Sequence, residues 1–449
     1  MTGRTDRLAI GLFLLGLTAL AFVAGSYFFY RGWPPATEMR RAFVAAGALR
    51  ELYFGYDDPR FSPLWHEARD AATGVVTCDP GAMEPGLTLF TSGDAPQVLL
   101  MRADGEIVHR WTLPTGAVTG EEKTDPFTYL RKAHLFPNGD VLTFFEKVDV
   151  SPAGLAMVRM NAAGEVIWAL DRPIHHDFDI APDGRIVALD TNIVGEPFGG
   201  IDRERFPLMD DEIVVVSPEG VELDRLSLMR AMLDSPWPDL IDLLPLRTKG
   251  DHMHVNSIVY VTAELARVFP FVEEGQVVVS IREGDRIAAV DLEEKRITWT
   301  VHGYWLRQHD VDLLPNGHFL IFDNHGDLRP GTGRSRVVEV DPSDMSMVWM
   351  YGGTQEEPLE SWIRSSQSRL ANGNTLITES DQGRLLEVTP DGRIVWDYRW
   401  TGRDAQDPMR TAVLSWGERV DPATLDASFR DGLALDLSDT SCVTRAAAR

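Results

Sequence analysis

Apolar and polar residues alternate along most of the chain, and glycine turns interrupt the alternation at intervals. Gln308–Asn324, QHDVDLLPNGHFLIFDN, shows the unit: a histidine entering an apolar strand, a Pro-Asn-Gly turn, and a second apolar strand closing on Asp323 and Asn324. His176–Asp190 (HDFDIAPDGRIVALD), His134–Phe145 (HLFPNGDVLTFF) and Gln367–Thr378 (QSRLANGNTLIT) repeat it. A period of two places alternate side chains on opposite faces of a sheet, and an Asx-Gly pair supplies the left-handed backbone that a hairpin needs. The same phrase recurring about every 50 residues marks a repeat architecture.

Five full units and one partial unit can be traced. Leu87–Trp111 is the partial one; Lys132–Leu170, His175–Leu228, His254–Val301, Gln308–Tyr351 and Ser365–Trp400 follow. Their outer halves tend to close on tryptophan after a turn, at Trp111, Trp168, Trp299, Trp349 and Trp396. A partial first unit suits a closed ring if a strand from the C-terminal segment completes it. The pattern therefore predicts an all-β chain folded as a six-bladed β-propeller over residues 86–449, with Met229–Asp251 as an insertion carrying a short helix.

The N-terminus breaks this pattern. Leu8–Tyr30 is an uncharged apolar run long enough to cross a bilayer, and Tyr27, Phe28, Phe29, Tyr30 and Trp33 crowd its far end as interfacial aromatics do. The run extends past the small-residue Ala19-Leu20-Ala21 site, which favours an uncleaved transmembrane anchor in residues 1–33 over a signal peptide. Arginines flank both ends, so charge alone does not orient it. The expected layout is a single pass in the inner membrane with the large domain in the periplasm or outside the cell. Residues 34–85 are expected to form a stalk helix (Thr37–Phe54) and a Pro/Gly-rich linker from Asp57 to Pro85.

Composition then removes function classes. Apolar residues make up 44% and charged residues 25% of the 449, which describes a globular chain. A net charge of −25 argues against nucleic acid, whose phosphates need clustered Lys and Arg. No CxxC, DxDxDG or GxGxxG pattern occurs, so no zinc finger, calcium loop, phosphate cradle or cofactor is expected. Cys78 and Cys442, near the two ends of the ring, are expected to pair as a disulfide in an oxidising compartment.

Candidate chemistry gathers where inner strands begin. His176 and His309 both lie eight residues before their turn glycines, Gly184 and Gly317, and His254 opens the inner strand of the intervening unit. In a propeller such positions converge on one mouth of the central channel. Asp323, Asn324, His325, Arg334 and Arg336 add a polar cluster with two cations, and paired Arg and His suit an oxyanion.

HVNSI (His254–Ile258), QHD (Gln308–Asp310), FDNHGD (Phe322–Asp327) with SRVVEVD (Ser335–Asp341), and LANGNTLITES (Leu370–Ser380) together resemble the bacterial arylsulfotransferase family. The resemblance implies an exported six-bladed propeller that moves a sulfuryl group from a phenolic sulfate to a phenolic acceptor through a transiently sulfated histidine, with no nucleotide donor. It implies His309 and His254 as catalytic and Arg336 as substrate-binding; His176, Asn256, Arg334 and Gln367 are expected to bind substrate beside them. Gln367 falls where the family carries its nucleophilic histidine, and glutamine forms no sulfated intermediate. Either His309, His254 or His176 takes that role, the acceptor attacks the donor directly, or the site binds without turnover. The expected partners are a small aryl sulfate or other oxyanion and the membrane. The alternative function is a non-catalytic propeller, a binding or assembly platform for a protein partner; a quinone-cofactor dehydrogenase lacks support in the tryptophan pattern.

Overall fold

The computed structural model describes residues 2–31, 33, 62–113, 116–119, 125–148, 150, 152–201, 205–245, 250–325 and 335–433. The chain divides into two units, Met1–Gly55 and Tyr56–Arg449. In the first, Thr2–Tyr30 is one helix, and its segment Ala9–Tyr30 (22 residues) is long and apolar enough to span a membrane, with its side chains exposed. Trp33 folds back edge-on against Phe28, with ring centroids 5.4 Å apart. The stalk helix expected over Thr37–Phe54 lies outside the described residues.

The second unit is a six-bladed propeller. Each blade is an antiparallel meander whose first strand faces the axis. The inner strands are Leu414–Val420, Thr128–Leu135, Phe178–Ile180, Val255–Tyr260, His309–Leu313 and Ser366–Arg369, for blades 1 to 6. Blade 1 takes its inner strand from the C-terminal region: Leu414–Val420 pairs with Leu87–Ser92, which closes the ring. Sheet faces are apolar, and among the described residues six of the seven buried apolar clusters each bridge one pair of neighbouring blades. The core therefore lies between blades, and the axis is left to polar side chains.

The outer tryptophans seal these junctions. Trp111 donates to Gly139 O in blade 2, Trp168 to Pro218 O in blade 3, Trp349 to Pro390 O in blade 6, and Trp396 to Ala103 O in blade 1, at 2.8–3.2 Å. Gly220 shows how close the approach is. Its φ is +83°, and a Cβ there would sit 2.5 Å from the Trp168 ring.

One feature differs from the sequence reading. Part of the segment read as a linker is ordered strand: Trp65–Glu67 pairs with Arg410–Ala412, and Gly74–Cys78 adds a fifth strand outside Ile394–Arg399 of blade 6. Segments of three and five residues attached by backbone hydrogen bonds are too short to print an alternation. The insertion does carry a helix, Leu228–Leu233, whose first turn is capped by Ser227 Oγ accepting from Arg230 N–H; it buries Leu228, Met229, Ala231 and Met232 against blades 3 and 4.

Candidate functional site

The mouth of the channel is built from backbone irregularities. Four inner strands slip register where they reach the axis: between Leu130 and Ala133, Val255 and Ser257, His309 and Val311, and Leu414 and Trp416. A bulge re-aims the extra residue. The residues released are Arg131 and Lys132, Asn256, Asp310 and Ser415, and all of them line one small cavity on the axis. Blades 3 and 6, which have no slip, turn their first inner residues with positive φ instead, +58° at His176 and +75° at Ser365.

The structure brings His176, His254 and His309 together. One ring nitrogen of each lies within 4.8 Å of the others, and the His176 and His254 rings meet edge to face at 4.7 Å. Every Nδ1 is held from behind. His309 Nδ1 is 2.7 Å from Asn324 Oδ1, and Asn324 Nδ2 donates to the carbonyls of Ser361 and Arg364. Those two carbonyls fix the amide orientation, so His309 Nδ1 carries the proton and Nε2 keeps its lone pair. His254 Nδ1 donates to Asp251 Oδ2 at 2.5 Å. His176 Nδ1 lies 2.7 Å from His175 Nδ1, and His175 Nε2 donates to Asp190 O at 3.1 Å, 3.4 Å from Asp211.

Electrostatics divides the roles. Burial first, then Arg282 and Arg131, hold His309 well below its ordinary pKa; burial, Arg131 and His254 do the same for His176. Both are neutral at pH 7. Burial pulls His175 down, but the Asp211 carboxylate outweighs it and keeps His175 above its ordinary value. The two facing Nδ1 atoms of His175 and His176 share one hydrogen, and when His175 carries it His176 is left with Nε2–H as a donor. Asp251, despite burial, is held low by the charge and hydrogen bond of His254.

Arg131 is the functional candidate that the sequence reading missed. Its guanidinium reaches Tyr129 Oη at 3.4 Å and Glu146 at 3.6 Å, neither a bidentate pairing, so donors remain for an anion. It stands eight residues before Gly139, the offset of His176 and His309, and that offset was the available signal.

Other expected residues sit elsewhere. Arg336 lies on the third strand of blade 5, Arg336–Asp341, where its Nε donates to Asp323 at 2.8 Å and a terminal nitrogen lies 3.9 Å from Met350 Sδ; it does not line the cavity with the histidines. Asp323 is fully buried and needs that partner, which accounts for the placement. Asn256 does line the cavity, donating Nδ2 to Gln308 O at 2.7 Å, while its Oδ1 is buried with no protein partner among the described residues. Gln367 ties blade 6 to blade 5 by donating Nε2 to Asp310 O and Asp312 Oδ2, and its N–H to Asp310 Oδ2. Arg334 and Cys442 lie outside the described residues.

Farther along the axis a second cavity of about 190 Å³ is lined by Lys132 and the carboxylates Asp179, Asp310, Asp312 and Glu418. Burial raises Asp310 and Glu418 to about 7. Asp177, Asp179 and Asp310 accept backbone N–H groups of the next blade, at Ile258, Tyr260 and Gln367. The repeated HDxD phrase thus carries a histidine for the site and carboxylates that stitch inner strands together.

Among solved structures, the chain is similar to a Bacteroides caccae protein of unknown function (13% identity, 74% of this chain and 99% of that one, TM-score 0.47). It is also similar to a catalytically inactive virginiamycin B lyase from Staphylococcus aureus with quinupristin (11% identity, 75% and 88%, TM-score 0.40). No curated protein matches. The model of the arylsulfotransferase (ASST) family matches residues 132–401, a span that holds four of the six inner strands whole, half of a fifth, and all three convergent histidines, and the chain belongs to that family.

Proposed function

We propose that the protein transfers a sulfuryl group from a phenolic sulfate to a phenolic acceptor at the mouth of the channel, through a sulfated His309. The observation that carries this reading is the convergence of three imidazoles whose Nδ1 atoms are each held from behind. His309 Nε2 attacks sulfur, the S–N bond forms, and the bond from sulfur to the aryl oxygen breaks. The departing phenolate takes the proton of His254, whose Nδ1 is held by Asp251. In the second half the acceptor phenol returns that proton, attacks sulfur, and the S–N bond breaks. Charge on the three sulfuryl oxygens during each step is met by His176 Nε2–H and Arg131, fixed donors in a water-poor site.

His309→Ala is expected to lose aryl-sulfate turnover by at least about a thousandfold, with fold and melting temperature retained. Rapid mixing of wild type with a chromogenic phenyl sulfate should show a burst of phenol, and a sulfuryl adduct on the peptide bearing His309. Wild-type protein without turnover on any aryl sulfate, or full turnover in His309→Ala, would sink the reading.

We further propose that the N-terminal helix anchors the propeller on the outer face of an inner membrane. Membrane fractions should retain the full chain and release a chain lacking residues 1–33. A C-terminal reporter active only in the cytosol would overturn the orientation.

A further inference from the structure

We propose that His176, His254 and His309 also form a tridentate site for a divalent transition ion of the zinc class, occupied in competition with sulfuryl transfer. The inference rests on the same three residues as the transfer reading but on a different property of them. A borderline-soft ion asks for neutral imidazoles that point lone pairs at one place and donate their other N–H to a fixed acceptor. His309 meets both conditions through Asn324, and His254 meets them through Asp251 once it has given up its Nε2 proton. His176 meets them when the hydrogen between the two Nδ1 atoms sits on its side, since His175 Nδ1 then accepts. Three ligands from three successive blades, with Asn256 Oδ1 unpartnered on the cavity wall, give an open fourth position for water or a sulfate oxygen.

Distance and charge are compatible with this. Donor atoms within 4.8 Å of one another must close to about 3.3 Å for tetrahedral bonds of about 2.0–2.1 Å. Glu146, Asp177, Asp211 and Asp251 stand around the trio and offset Arg131 and Lys132. The blade scaffold holds the three residues together before any ion arrives, so little ordering is required on binding.

The test uses the full detergent-solubilised chain, stripped with chelator and titrated with Co²⁺ and Zn²⁺. One equivalent of Co²⁺ should give the intense visible bands of a four-coordinate site, and Zn²⁺ should displace it. His176→Ala and His254→Ala should each weaken binding at least about a hundredfold. In stripped protein, Zn²⁺ should inhibit aryl-sulfate turnover with the constant measured by titration. No visible bands, or binding unchanged in both variants, overturns the inference and leaves the transfer reading standing. Tight binding in a stripped protein that never turns over aryl sulfate supports the ion site and overturns the transfer reading instead.

Discussion

Arg131 and Arg336 exchange places between sequence and structure. The first precedes the repeat phrase of its blade, His134–Phe145, and the second falls in a family motif, Ser335–Asp341. Arg131 is a bulge residue on the axis, whereas Arg336 stands two strands outward and neutralises buried Asp323. Their variants should separate cleanly. Arg131→Lys keeps the charge but loses the forked donor geometry, so aryl-sulfate kcat/KM should fall roughly tenfold to a hundredfold at an unchanged melting temperature. Arg336→Ala should instead cost about 3 kcal/mol of stability, read by denaturant titration, because Asp323 is left buried without its cation. The histidines were legible because the turn glycine fixes their register. Their anchors were not: Asp251 is three residues from His254, but Asn324 lies across a hairpin from His309, and nothing in a linear pattern shows which nitrogen each would hold.

At the scale of strands and blades the chain was largely readable, since alternation, turn chemistry and closing tryptophans act locally. Trp396 and its counterparts were visible as repeat punctuation, but their function is to bond the next blade, which only the closed ring reveals. Trp396 is fully buried, stacks on Tyr398 at 6.0 Å and donates to Ala103 O across the junction of blades 6 and 1. Trp396→Ala should cost about 3–5 kcal/mol in chemical denaturation. Trp396→Phe, which keeps most of the ring and loses the hydrogen bond, should cost about 1–2 kcal/mol. Equal losses in the two would show that burial contributes nothing beyond the hydrogen bond. The added strands Trp65–Glu67 and Gly74–Cys78 escaped notice because edge pairing uses backbone groups and places few demands on side chains.

For the molecule as a whole, acidity is concentrated inside as well as out, and stability should follow pH accordingly. Near the junction of blades 6 and 1, Asp381 Oδ1 and His66 Nε2 are both buried, 3.7 Å apart, and without hydrogen-bond partners among the described residues. Burial raises Asp381 to about 7 against the Trp362 N–H and Arg364, and burial with Arg364 lowers His66 to about 4. A carboxyl whose folded value is raised contributes stability that is complete below about pH 4 and lost as pH rises through 7. The imidazole, whose folded value is lowered, works the other way, and its contribution is lost as pH falls from 6.5 toward 4. Asp381→Asn mimics the protonated acid, keeping an acceptor for Trp362 and gaining a donor for His66. It should therefore raise stability by on the order of 2–4 kcal/mol at pH 8 and change little at pH 4. A variant no more stable than wild type at pH 8 would show that the acid is ionised without cost.

The eight-residue offset that Arg131, His176, His309 and Ser365 share before their turn glycines has a further meaning for how such a ring can vary. Seen down its axis the channel is a dial, and each blade contributes one setting: imidazoles from three consecutive blades, then serine, serine and guanidinium around the remaining half. No setting bears on the apolar seams between blades, so chemistry can be rotated from one blade to another at constant scaffold. Ser365 holds the setting that faces His176 across the axis. An imidazole placed there would move the reactive nitrogen to the opposite rim, and a substrate would have to enter with its two ends exchanged.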